Sequence, residues 1–134
     1  MSNFTLDNPA GVPSSPFKAF SNVAVIPFGE RTLLMLAGQV AWGDDHQIVG
    51  GDDMRAQSRR VMELIGEILK AHGGSFADVV NLRTFLTDIS RIREYGEIRA
   101  EYFQGATPPT STTVEVSRLF LPEALIEVEA TAII

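Results

Sequence analysis

The chain ends in Ile126-Glu127-Val128-Glu129-Ala130-Thr131-Ala132-Ile133-Ile134, and the two-residue period of this stretch decides the fold. Side chains alternate across a strand, so Ile126, Val128, Ala130, Ala132 and Ile134 share one face while Glu127, Glu129 and Thr131 share the other. Working back from it, Thr112 to Ser117 alternates in the same way, with Val114 and Val116 on one side. Pro108-Pro109 forbids helix just before that strand. Asp78 to Asp88 is a third alternating run, Val80, Leu82, Thr84 and Leu86 interleaving with Asn81, Arg83, Phe85 and Thr87. Near the start, Val23-Ala24-Val25-Ile26 and Leu33-Leu34-Met35-Leu36-Ala37 read as two antiparallel strands joined by a loop over Pro27 to Arg31. A further short strand at Gln47-Ile48-Val49 fits between Gly43 and Gly51.

Two segments follow the other period. Ala56, Val61, Leu64, Ile65, Ile68 and Leu69 return at three- and four-residue intervals, which predicts an amphipathic helix from about Asp53 to His72. Asp52 or Asp53 caps its start and Gly73-Gly74 supplies its left-handed stop. Ser90 is the expected cap of a second helix, with Ile92, Tyr95, Ile98 or Arg99, and Tyr102 on one face until Gly105 ends it. The order strand, strand, helix, strand, helix, strand, strand predicts an α+β sandwich. Two helices cover only one face of a five- or six-stranded sheet. The other face, carrying Phe85, Val114, Val116 or their opposites, needs a partner, and self-association is the simplest one.

At 134 residues the chain is long enough for one domain and one core; residues 1–19, with Pro9, Gly11, Pro13, Ser14 and Pro16, read as an irregular lead-in to a domain over 20–134. With 45% hydrophobic and 21% charged residues it is globular rather than disordered, and no apolar run is long enough to span a membrane. A net charge of −6 repels phosphate backbones and anionic lipid, so neither nucleic acid nor membrane is an expected partner. Zero cysteines exclude disulfides, thiolate nucleophiles and cysteine metal sites. Met1 to Ala10 has no basic and apolar pair of regions in the manner of a signal peptide, and the cytoplasm is the expected compartment.

Chemistry has few carriers. His72 stands at a helix end, where a histidine commonly serves the dipole. His46 follows Asp44-Asp45, a run that reads as a solvated turn rather than a metal site, because adjacent loop residues seldom converge on one ion. Trp42 beside Gly43 is a packing anchor or a stacking platform. No Gly-x-Ser-x-Gly elbow, dinucleotide fingerprint or P-loop occurs, and no cofactor or metal is expected. Glu127 is the remaining candidate: it points to solvent, or it is set into a pocket between subunits, where burial would raise its pKa and make it a proton carrier.

Leu36-Ala37-Gly38-Gln39, Ala56-Gln57, Gly73-Gly74 with Asp78-Val79-Val80, Thr84-Phe85-Leu86-Thr87-Asp88, Tyr102-Phe103, Pro108-Pro109-Thr110-Ser111-Thr112-Thr113-Val114-Glu115-Val116 and Leu125-Ile126-Glu127-Val128-Glu129-Ala130 resemble, in order and spacing, the RidA/YjgF family, also labelled endoribonuclease L-PSP or translation inhibitor. The match runs from about Phe20 onward. The resemblance implies a chorismate-mutase-like fold, a mixed sheet with two helices on one face, assembled as a homotrimer with a small-molecule pocket at each subunit interface. It implies hydrolysis of reactive enamines and imines, with an arginine clamping the ligand carboxylate and a glutamate positioning water. Carried over, Glu127 falls on that glutamate, Gly38 on the pocket glycine and Thr113 on a position that is often cysteine. Phe20 takes the place of the pocket tyrosine, with Phe17 as the alternative. Ser111 falls on the arginine, and serine lacks both its charge and its paired donors. Arg83 stands where the family has a small or β-branched residue; it reaches into the pocket or pairs with a surface acid. Arg118 matches a family arginine outside the pocket. Two functions follow: a Rid-like deaminase-type hydrolase that is inefficient on 2-aminoacrylate, or a non-catalytic trimeric small-molecule binder of the same fold.

Overall fold

The computed structural model describes residues 3–134; Met1 and Ser2, the start of the expected lead-in, lie outside them. Six strands form one mixed sheet: β1 (Thr5–Asp7), β2 (Val23–Phe28), β3 (Arg31–Leu36), β4 (Val79–Leu86), β5 (Thr110–Glu115) and β6 (Ile126–Ile133). Their order across the sheet is β1-β2-β3-β6-β4-β5, antiparallel throughout except for the parallel pair β4 and β5. The terminal strand therefore sits in the middle of the sheet, and the sequence between β3 and β6 supplies both helices together with β4 and β5.

Helix α1 (Met54–Ala71) starts on Asp53, whose side chain accepts from the Ala56 N–H, and stops at Gly73 with φ of +81°. Its apolar stripe buries Val61, Leu64, Ile65, Ile68 and Leu69 against Leu34, Leu36, Leu82, Leu86, Ile126, Val128, Ala130 and Ala132. Helix α2 (Ile92–Tyr102) lies beside α1, contributes Tyr95 and Ile98 to the interior, and is tied to it by the ion pairs Arg55–Glu97 and Arg59–Glu101. Both helices cover the same face of the sheet, and the α+β architecture expected from the alternation is the observed one.

The structure shifts several local boundaries. Residues 5–7, expected to be irregular, add an edge strand in register with Val23 to Val25. Asn22 fixes the segment that follows: its N–H donates to Asn8 Oδ1 at 3.0 Å and its Nδ2 to the Pro13 carbonyl at 3.1 Å. The hairpin loop is only Gly29-Glu30, because Phe28 pairs with Arg31 and Pro27 with Thr32. Pro27 is tolerated there since it lies beyond the end of β1, where no ladder bond needs its missing N–H. The segment 47–49 forms only a bridge between Trp42 and Ile48. A 3₁₀ turn at Ile89–Arg91 precedes α2, and its cap is Asp88 rather than Ser90. Strand β5 starts two residues early because Thr110 is held to β4 by hydrogen bonds to Asn81 Nδ2 and the Val80 carbonyl. No helix among the described residues is long and apolar enough to cross a membrane.

Candidate functional site

Glu127 leaves β6 on the open face while its neighbours Ile126 and Val128 are wholly buried on the other. Beyond the end of β3 the chain runs on beside β6, because Gln39 and Val128 exchange both backbone hydrogen bonds, at 2.9 and 3.0 Å. That pairing sets Gly38 directly on the Glu127 carboxyl. A Cβ at residue 38 would stand 2.9 Å from Cδ of Glu127 and collide with Oε1, so any larger residue there would push the carboxyl out of its present position. Phe85 of β4 is the cross-strand partner of Glu127 on its other side. No cation among the described residues reaches within 4 Å of this carboxyl. Burial first, and the charge of Glu129 second, push its pKa above the ordinary glutamate range.

The remaining candidates do not join this pair. Arg83 faces the open side too, but it is exposed, its Nη1 lies 3.6 Å from Glu129 Oε2, and its guanidinium sits 6.0 Å from the Phe85 ring centre. Ser111 and Thr113 are opposite Leu82 and Thr84 in register, which turns both toward the helix side, away from Glu127 of the same chain. Thr113 is half-buried beside Thr84, whose Oγ1 lies 2.9 Å from the Tyr95 hydroxyl. Ser111 is exposed and its Oγ accepts a hydrogen bond from Arg99 Nη1 at 3.0 Å. Phe20 and Phe17 lie together in the first segment, where with Ser15, Pro16, Ala19 and Phe120 they line an apolar cavity of about 220 Å³. One chain therefore unites Gly38 with Glu127 and leaves Phe20, Ser111 and Thr113 elsewhere.

Trp42, His46 and His72 have structural partners. Trp42 is buried, its carbonyl accepts from Arg60 Nε, and its ring meets His46 edge-on at 5.4 Å. The His46 ring also bonds the Ser14 carbonyl at 2.7 Å. His72 caps the C-terminus of α1, with Nε2 3.0 Å from Asp7 Oδ2. No group of three or more histidines and carboxylates suited to a metal ion occurs among the described residues. Arg99 is the polar residue that pattern reading missed. The apolar-face pattern counts it only as an alternative to Ile98, although the spacing Tyr95 to Arg99, one helical turn, is a legible signal for an arginine stacked on an aromatic ring.

Comparison with known proteins gives consistent matches over most of the chain. The family model described as endoribonuclease L-PSP matches residues 13–134. A RutC family protein of Pyrococcus horikoshii is 38% identical over 99 residues, 74% of this chain and 77% of its own length. Among solved structures, a protein of the conserved Rid family from Yersinia pestis superposes with a TM-score of 0.85 at 28% identity, covering 96% of this chain and 98% of the other. A member of the YjgF family from Mycobacterium tuberculosis superposes with a TM-score of 0.76 at 35% identity, covering 98% and 99%.

Proposed function

The chain belongs to the endoribonuclease L-PSP family, the family of Rid and YjgF proteins, and on that footing we propose that it is a Rid-like hydrolase of small enamines, imines or related nitrogen compounds. The observation that carries this reading is the seat of the Glu127 carboxyl against Gly38: a half-buried acid without a cationic partner among the described residues, its pKa raised toward the range where it can both take and return a proton. In the step this allows, a water bound at Glu127 gives it a proton as the water oxygen bonds to the imine carbon. Glu127 passes that proton to the nitrogen. The carbinolamine then loses ammonia as the C–N bond breaks and the hydroxyl proton moves to the departing nitrogen, leaving a carbonyl. The net charge of −6 counts against RNA as the substrate.

The reading includes a homotrimer. Phe28, Met35 and Val114 are exposed apolar side chains on the uncovered face of the sheet, and other copies of the chain are the simplest cover for them. Because Ser111 and Thr113 face away from Glu127 within one chain, a pocket holding all three draws them from two copies. The small-molecule ligand is hydrogen-bonded there by Ser111 and Thr113, with Phe20 as the aromatic wall.

Ser111 sets the expected rate. A carboxylate that loses a guanidinium partner loses about 2–5 kcal/mol. Even the lower figure is more than tenfold in rate, at about 1.4 kcal/mol per factor of ten. In a coupled ammonia-release assay with 2-aminoacrylate, slow turnover is expected, at least tenfold below that of an arginine-bearing relative, and Glu127→Gln abolishes it. Turnover that survives Glu127→Gln overturns the role of this carboxyl. The absence of a guanidinium at residue 111 also favours a second reading, a non-catalytic small-molecule binder of the same fold; ammonia release no faster than the uncatalysed reaction would establish it.

A further inference from the structure

The arginines of this chain are mostly neutralised. Arg55, Arg59, Arg60, Arg83 and Arg91 each lie within 4 Å of one or two carboxylates. Among the described residues Arg31, Arg93, Arg99 and Arg118 have no carboxylate at that distance, and of these Arg99 is held in place by two other contacts. Its guanidinium carbon lies 5.6 Å from the ring centre of Tyr95, one turn earlier on α2, and Nη1 donates to Ser111 Oγ at 3.0 Å. Tyr95 is itself buried, with its hydroxyl 2.9 Å from Thr84 Oγ1, so packing and a hydrogen bond hold the aromatic platform in place. A guanidinium fixed in direction and short of a counter-charge is a receptor for an anion.

We propose that Arg99, stacked on Tyr95 and tethered by Ser111, binds the carboxylate of a small organic acid. Of the five guanidinium N–H groups one is used by Ser111, and the others are free of protein carboxylates among the described residues. Ser111 accepts from Arg99, which leaves its own hydroxyl proton as a further donor at the same corner. Strand β5 is the outer strand of the sheet within one chain, and Ser111 is exposed on it. One guanidinium and one hydroxyl match a monoanion; a phosphate dianion would keep a charge unmatched on a chain of net charge −6. The fork is compatible with the slow turnover expected above, because a guanidinium on α2 approaches Ser111 from the helix side instead of projecting from residue 111. The site stands on its own contacts and rests on the proposed hydrolase reading only for the choice of a 2-keto acid as probe.

The test is an NMR titration of the full chain with pyruvate and, as a neutral counterpart, pyruvamide. Pyruvate should shift the amide resonances around Ser111 and Arg99, and pyruvamide should bind at least tenfold more weakly. Arg99→Gln should weaken pyruvate at least tenfold, Arg99→Lys by an intermediate factor, and Arg93→Gln, on the same helix, by less than twofold. The lysine variant keeps the comparison intact if the glutamine variant does not fold. Equal affinity for pyruvate and pyruvamide, or pyruvate affinity unchanged in both Arg99 variants, overturns the proposal. Glu127→Gln separates it from the hydrolase reading: pyruvate binding retained in that variant with ammonia release lost supports both. Pyruvate binding that depends on Arg99 while ammonia release ignores Glu127 sustains the Arg99 site alone.

Discussion

The two faces of β6 come from one backbone and have opposite chemistry. Ile126, Val128, Ala130 and Ala132 meet the helices and are buried almost completely, so their contribution is transfer of apolar surface out of water. Glu127, Glu129, Thr131 and Ile133 stand on the uncovered side and are only half-buried. The difference teaches where a sheet of this kind can keep a working carboxyl. On the covered face an ionised group would be desolvated outright, whereas on the open face Glu127 is shielded enough to shift its pKa and still reachable by water.

The sharpest way to break this comparison is to truncate one residue on each face. Leu82→Ala, on the covered face of β4, should cost about 2–5 kcal/mol in urea denaturation, because it opens a cavity in close-packed surroundings. Met35→Ala, half-exposed on the open face of β3, should cost under about 0.5 kcal/mol in the isolated chain and appear instead as subunit dissociation in sedimentation equilibrium. Equal costs for the two in monomeric chains would erase the distinction between faces.

A second pair sharpens it at the level of single glycines. Gly38→Ala places a methyl group on the Glu127 carboxyl and should cost about 1–3 kcal/mol while lowering ammonia release. Gly96→Ala, inside α2 with no atom within 4 Å of the new Cβ, should stabilise by about 0.5–1 kcal/mol and leave activity alone. Thermal melts beside the coupled assay read both.

The smallest effect is the pH dependence carried by Glu127. Its folded pKa is raised above the ordinary value of 4.5, so the folded chain favours the protonated form. Stability from that preference is complete at pH below the unfolded value and is lost as the pH rises through the folded one. Glu127→Gln, which stays neutral, should therefore melt slightly above wild type at pH 7 and converge with it below about pH 4. A variant that melts below wild type at pH 7 would show that the open face stabilises this charge.

Much of this architecture is legible in local pattern. The alternation of residues 79–86 and 126–133 and the three-to-four spacing of 54–71 appear in the structure as β4, β6 and α1, because side-chain direction repeats within a few residues of any element. Smaller signals failed where a neighbour overrode them. Thr5–Asp7 carries no alternation worth naming and becomes a strand only because β2 offers it an edge. Ser90 is a good cap by type, but Asp88 takes the Ser90 N–H first and also accepts the Ser90 hydroxyl at 2.6 Å.

The candidate site divides along the same line. Glycine at 38, a glutamate at 127 and serine at 111 are facts of the sequence, and the alternation around Glu127 by itself puts that carboxyl on the face opposite the core. That Gly38 touches Glu127 was decided by the insertion of β6 between β3 and β4, and that Arg99 reaches Ser111 was decided by the packing of α2 over the β4–β5 edge. Strand order and helix docking join residues far apart in the chain, and a periodicity that repeats every two or four residues holds no record of which distant element will become its neighbour.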